Sequence, residues 1–252
     1  MARPTWLHYL RAMDVVRIGI VGDRDRTKHS HWATEAALFH AAAHLRMNVE
    51  PRWLATTTFA SQRAGDVLSS FNGVWGAPGS PYASMAGMLR AIEYARLRDV
   101  PYLGTCAGFQ YALIEFSRNV LGVADADSAE NASNSQNIVI SPVLCDIPSS
   151  MGPRLKGAGV ARPVPGTQLA RLCGDADLNG EYFCSFETNR DFIPRWEAAG
   201  LRVAALGNDR ELRAFELPGS RFFIASLFQP QLSSSLELPH PLITGFLRAC
   251  AG

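Results

Sequence analysis

Residues 15–21 constrain this chain more than any other stretch. They form a nearly continuous β-branched run closed by Gly22, and a run apolar on both faces suits a buried parallel strand. A loop over 23–30 follows, then an Ala-rich stretch over 31–45 in which Ala36, Ala37, Phe39, His40 and Ala43 recur at helical spacing. The alternation continues: strands over 49–54 and 73–75, a Gly/Pro loop over 77–81, a helix over 85–98, a strand over 101–104 and a helix over 109–120. This order predicts an α/β fold, a doubly wound, mostly parallel sheet flanked by helices with right-handed crossovers.

Beyond residue 125 the texture changes. Residues 125–180 are rich in Asn, Ser, Pro and Gly, and their apolar runs at 137–140 and 168–172 are short and β-like, so this stretch reads as an irregular insertion of loops and short antiparallel strands. The tail predicts a helix over 193–199, strands over 201–206, 212–217 and 221–227, and a closing helix after Pro241. One domain over 1–252 is expected, with 1–14 as an N-terminal extension. Lys and Arg number 24 against 23 Asp and Glu, so no basic field invites nucleic acid. No apolar run approaches the roughly 18 to 20 residues that span a bilayer. The first 16 residues make a poor signal peptide, since Arg11 and Asp14 interrupt them, and a cytoplasmic location is expected. The five cysteines, at 106, 145, 173, 184 and 250, include no Cys-x-x-Cys pair and suit neither a disulfide framework nor a zinc site. No metal and no cofactor is expected.

The segment Gly104-Thr105-Cys106-Ala107-Gly108 sets a nucleophile between small residues at a strand-to-helix turn, which exposes it above the sheet. The helix N-terminus lowers the thiol pKa, and its free N–H groups can hold an oxyanion. A buried, inert cysteine beside a glycine turn carries the same local pattern, so the motif alone leaves both readings open.

The longer run PYLGTCAGFQYALIEFSRNVLG, residues 101–122, resembles the nucleophile elbow and following helix of the glutaminase domain of CTP synthases, which are class I glutamine amidotransferases. Upstream, IGIVGDRDRTKHSHWATEAALFHA is similar to that family's first strand, loop and helix, and WGAPGSPYAS sits at its Gly-rich oxyanion loop. Downstream the likeness runs through Asp127-Ser128-Ala129-Glu130, Glu187-Thr188-Asn189 and LFQPQLSSS, so it covers residues 15–250. It implies a flavodoxin-like fold with a small antiparallel extension, and thioester chemistry at Cys106. Oxyanion donors would be the N–H groups of Ala107 and of the Ser80-Pro81-Tyr82 loop; Pro81 has none, which leaves Ser80 or Tyr82. Gln110 and Glu130 are implied substrate binders, Glu130 toward an α-amino group. The family's preceding amidoligase portion has no counterpart in this sequence, so this chain is not expected to make CTP itself.

The resemblance breaks at the proton-handling residues. The family's triad His and Glu fall in a Phe-His-Pro-Glu-Phe segment that here reads Phe228-Gln229-Pro230-Gln231-Leu232. A carboxamide cannot act as a general base near neutrality. The arginine that meets the substrate α-carboxylate aligns with Ser185, and serine cannot replace a bidentate guanidinium. These changes imply a small amino-acid-like substrate that can keep an amino group but need not have a free α-carboxylate, such as an amide, ester or amine, with Gln229 positioning substrate or water. His29 and His31 follow the first strand at the same sheet edge as Cys106; each is either a solvated or capping residue or a contact to substrate or thiolate, with His31 the candidate proton carrier. His40 and His44 are expected to pack against the core, and His240 to start the last helix. Cys145, Cys173 and Cys250 read as small core hydrophobes, while Cys184 stands beside the ligand-facing Ser185.

Three functions follow from this pattern. One is a cysteine-nucleophile enzyme that performs acyl transfer or hydrolysis after divergence from glutamine hydrolysis. Another is a non-catalytic module that binds a metabolite or docks a partner. The third is a glutaminase subunit supplying ammonia to a separate synthetase or acceptor protein. Homo-oligomer formation is left open.

Overall fold

A computed structural model describes residues 15–131, 134–143 and 155–252; Cys145 and the 1–14 extension lie outside them. The chain opens with β1 (Val16–Val21), α1 (His29–Leu45), β2 (Val49–Leu54), the short helices α2 (Thr58–Ser61) and α3 (Ala64–Leu68), β3 (Gly73–Gly76), α4 (Met85–Leu97), β4 (Tyr102–Thr105) and α5 (Ala107–Asn119). It continues through β5 (Asp127–Ser128), β6 (Ile138–Pro142), β7 (Leu155–Pro163), α6 (Gln168–Cys173), β8 (Leu178–Cys184), β9 (Phe186–Thr188), α7 (Ile193–Ala198), β10 (Arg202–Leu206), β11 (Leu212–Glu216), β12 (Phe223–Ser226) and α8 (Pro241–Ala251).

Among the described residues the main sheet runs β2-β1-β3-β4-β12-β11-β10-β7-β8, and β5-β6-β9 form a second, small sheet. The first five strands of the main sheet are parallel and the remaining junctions antiparallel. This is an α/β fold with a large mixed sheet flanked by helices. β3 and β4 are buried at every position, as parallel strands covered on both faces must be.

Helix α1 turns His31, Thr34, Ala37, Leu38, Ala41 and Ala42 inward, a row of mostly small side chains that lets it lie close to its neighbours. Phe39 is 51% exposed and His44 lies in solvent. The expected packing of His44 is thus corrected: the inward stripe is offset from the one read in the sequence. His40 is half-buried beside Ser234. Helix α5 is buried from Ala107 to Ser117, and its Glu115 carboxylate is therefore paired with Arg96 at 2.7 Å, as a buried charge requires.

Two elements differ from expectation. Residues 168–172 begin a helix, not a strand, because the Thr167 hydroxyl accepts the Ala170 N–H and the Glu216 carboxylate accepts the N–H groups of Gln168 and Leu169. The irregular middle also holds the long β7/β8 ladder, paired from Leu155 with Cys184 to Ala161 with Leu178. No helix among the described residues is long and apolar enough to cross a membrane.

Candidate active site

Cys106 occupies the tight connection between β4 and α5 with φ 51° and ψ −105°. Such a conformation costs a non-glycine residue about 1–3 kcal/mol, and its surroundings enforce it. The Cys106 N–H donates to the Ser226 carbonyl at 2.9 Å, and its own carbonyl accepts from Phe109 and Gln110 at 3.1 Å. Gly108 lets the turn descend onto β3: a Cβ there would stand 2.2 Å from the Gly76 carbonyl oxygen. The thiol faces a cleft of about 370 Å³ whose walls include Lys28, His29, Gln110, Glu130, Ser185 and Gln229.

The sulfur has an unusual neighbour. Cys184, the last residue of β8, places its Sγ 3.0 Å from that of Cys106. The hydrogen bond from Cys184 lowers the Cys106 pKa below that of an ordinary thiol; burial opposes this, and the N–H groups of Ala107 and Gly79 add to the lowering. The same contact, with burial, holds Cys184 well above the ordinary thiol range. Of the two, Cys106 is the more acidic thiol, and Cys184 is the one that keeps its proton when the pair ionises.

The backbone N–H groups that favour the charged form of Cys106 are those of Ala107 and Gly79. The sequence names Ser80 or Tyr82 as this loop's donor to a substrate oxyanion. Ser80 lines the cleft, but Tyr82 is buried behind the loop, its hydroxyl donating to the Ala77 carbonyl and its ring 4.6 Å from that of Tyr111. Gly79 adopts φ 105°, a region open to glycine and strained for other residues.

His31 is not placed as a proton carrier. Its Nδ1 accepts the Asp25 N–H at 2.9 Å and its Nε2–H donates to the Pro78 carbonyl at 3.0 Å. Both nitrogens are thereby occupied, and burial pushes the pKa down, which favours the neutral ring. A Cβ on Gly79 would meet the Nε2 atom at 3.0 Å, so the imidazole is the floor on which the donor loop rests. His29, exposed at the first residue of α1, is the histidine that lines the cleft.

Gln110 donates from Nε2 to the Phe186 carbonyl at 3.0 Å, fixing β9 at the cleft wall. Glu130 presents a carboxylate oxygen that is buried with no hydrogen-bond partner. Gln229 is buried, and its Oε1 accepts from Gln231 Nε2 at 3.1 Å; the polar atom left to it is an amide donor. Ser185 lies between β8 and β9 on the cleft wall, with Lys28 at the cleft too. Sequence reasoning missed Lys28, Gly79 and the contact between the two thiols; the first two carried a signal, a cation next to His29 and a glycine in the oxyanion loop.

The glutamine amidotransferase class-I family matches residues 31–150. The CTP synthase of Saccharolobus solfataricus is 29% identical over 248 residues, covering 96% of this chain and 46% of that protein. That of Methanocaldococcus jannaschii is 31% identical over 252 residues, with 96% and 47% covered. The glutaminase domain of Trypanosoma brucei CTPS, solved with bound acivicin, matches with a TM-score of 0.85 and 26% identity over 94% of each chain. Residues 31–150 of this chain carry a glutamine amidotransferase class-I domain. The chain is similar to the glutaminase portion of the CTP synthases, and it spans about half the length of the curated relatives it matches. A glutamine amidotransferase from Thermotoga maritima, 12% identical with a TM-score of 0.54, shares the fold alone.

Proposed function

We propose that this amidotransferase-like chain is an acyl-transfer enzyme that acts through a Cys106 thioester on a small substrate bearing an amino group. The observation that carries this reading is the Cys106 thiol held in its positive-φ turn at the start of α5, at a cleft that also presents the unpartnered Glu130 oxygen. A thiolate needs no base to attack a carbonyl. The two N–H groups that hydrogen-bond the resting sulfur stabilise the oxyanion as the carbonyl is attacked. Glu130 receives the substrate ammonium, since its buried, unpartnered oxygen gains from a cation.

The amides at Gln229 and Gln231 set the outcome. No general base stands where the family has its histidine, so an attacking water gains no activation there. The acyl group therefore passes to a nucleophile stronger than water, an amine or a thiol, and esters react in preference to amides because their leaving group needs less protonation. The acceptor is either a small molecule or a group on a separate protein. One observation favours binding without turnover: both triad positions are carboxamides paired to each other. A glutaminase feeding a separate synthetase fits less well, given Ser185 and these two glutamines.

Intact-mass labelling of the wild type and of Cys106→Ser with amino-acid esters, amides and glutamine analogues tests the proposal. Saturable acylation at Cys106 by amino-bearing esters is expected. Labelling no faster than that of a free thiol, with no protection by any compound, would leave only the binding function.

A further inference from the structure

We infer that Cys106 and Cys184 form a dithiol redox site that reduces a small hydroperoxide. The two sulfurs are 3.0 Å apart, and a disulfide bond of about 2.05 Å lies roughly one ångström of approach away. Cys184 ends β8 and is followed by a bend at Ser185 before β9, so this wall can give without breaking a ladder in mid-strand. Among the described residues the arrangement is confined to this pair. Burial pushes Cys173 up to about 11, outweighing the Leu242 N–H, and raises Cys250 despite Arg221; neither is paired with another described thiol. The cleft, about 370 Å³, has room for a small oxidant beside Cys106.

The donors of the oxyanion site serve the same chemistry. The Cys106 thiolate attacks the terminal oxygen of the hydroperoxide; an S–O bond forms, the O–O bond breaks, and the departing alkoxide or hydroxide takes a proton from solvent within reach of the Gly79 and Ala107 N–H groups. Cys106 is then a sulfenic acid and the peroxide an alcohol or water. The Cys184 sulfur attacks the sulfenic sulfur; the S–S bond forms, the S–O bond breaks, and the Cys184 proton leaves with the hydroxyl as water. The sulfurs lose two electrons together and the O–O bond gains them. A small dithiol restores both thiols by exchange. While the disulfide stands, the acyl nucleophile is blocked.

Reduced full-length protein is treated with one equivalent of hydrogen peroxide or cumene hydroperoxide, then read by intact mass and non-reducing peptide mapping. The expected product is a Cys106–Cys184 disulfide, reversed by dithiothreitol and formed at least about tenfold faster than a free thiol is oxidised. Cys184→Ser is expected to stall as a Cys106 sulfenic acid that dimedone traps. Three results would overturn the inference: oxidation no faster than that of a free thiol, passage of wild-type Cys106 to sulfinic acid without the disulfide, or a disulfide that maps to other cysteines. The wild-type map decides the matter even where a variant folds poorly, and it does not depend on acyl chemistry.

Discussion

The cleft has two sides of different character. On the β4–α5 side the parts that make and hold a nucleophile are intact: the positive-φ turn at Cys106, Gly108 against Gly76, and the Gly79 loop resting on His31. On the side built from β8, β9 and the segment after β12, the proton-handling groups are carboxamides, Gln229 and Gln231, and a second thiol sits within 3.0 Å of the first. The difference separates two jobs that a triad usually joins. Stabilising a thiolate requires only donors and a dipole; moving protons requires a group that titrates.

Breaking the first side should have the largest effect. Cys106→Ser is expected to lower acylation at least about a hundredfold, because a serine hydroxyl without a base is a far weaker nucleophile than a thiolate; the rate is read by intact mass. Gly79→Ala is next. Its φ of 105° and the 3.0 Å approach to His31 force the donor loop to move, with an expected loss of about a hundredfold in acylation, typical of one oxyanion donor. Thermal unfolding of that variant should show a milder destabilisation of about 1–2 kcal/mol.

Restoring the second side sharpens the contrast. The double change Gln229→His with Gln231→Glu returns an imidazole and its orienting carboxylate, and should speed hydrolysis of the acyl-enzyme at least about tenfold, with a new rise in rate as pH increases through the imidazole range. Single-turnover mass spectrometry follows the decay. A smaller effect is expected from His31→Phe: a loss of up to about tenfold through slackening of the loop, with the pH profile of Cys106 labelling unchanged in form. A lost inflection near neutral pH would instead make His31 a proton carrier.

The smallest effect lies in stability. Burial lowers the His240 pKa to about 4 from its ordinary 6.5, and its neutral Nδ1 caps α8 by accepting the Leu242 N–H at 3.2 Å. The unfolded chain therefore binds the proton more readily than the folded one. The contribution is complete above pH 6.5 and is lost as pH falls toward about 4. Melting temperature should fall over that window, and His240→Asn, which keeps a capping acceptor without the titration, should flatten the fall.

The parallel half of the sheet was legible in the sequence because buried strands read as unbroken apolar runs, as at residues 15–21, and because Gly104 to Gly108 announces a tight turn. Helix α6 was not, since a five-residue apolar run fits strand and helix alike until the contacts of Thr167 and Glu216 are known. The β7/β8 ladder escaped for a related reason: Gly157, Ala158, Gly159 and Ala161 are weak strand formers, and the pairing is made by backbone. His29 and His31 were distinguishable only once α1 was seen to begin at His29. Residues two apart lie on opposite helix faces, so one lines the cleft and the other supports the loop. The meeting of Cys106 with Cys184, 78 residues apart, is a product of sheet topology that no local pattern records.

The most direct measurement of a nucleophile that needs no base is the rate of Cys106 alkylation by iodoacetamide as a function of pH, in the wild type and in Cys184→Ala. A midpoint below the roughly 8.5 of a free thiol, moving upward when the Cys184 S–H is removed, is the expected result. A wild-type midpoint at or above that of a free thiol, unmoved in the variant, would contradict it.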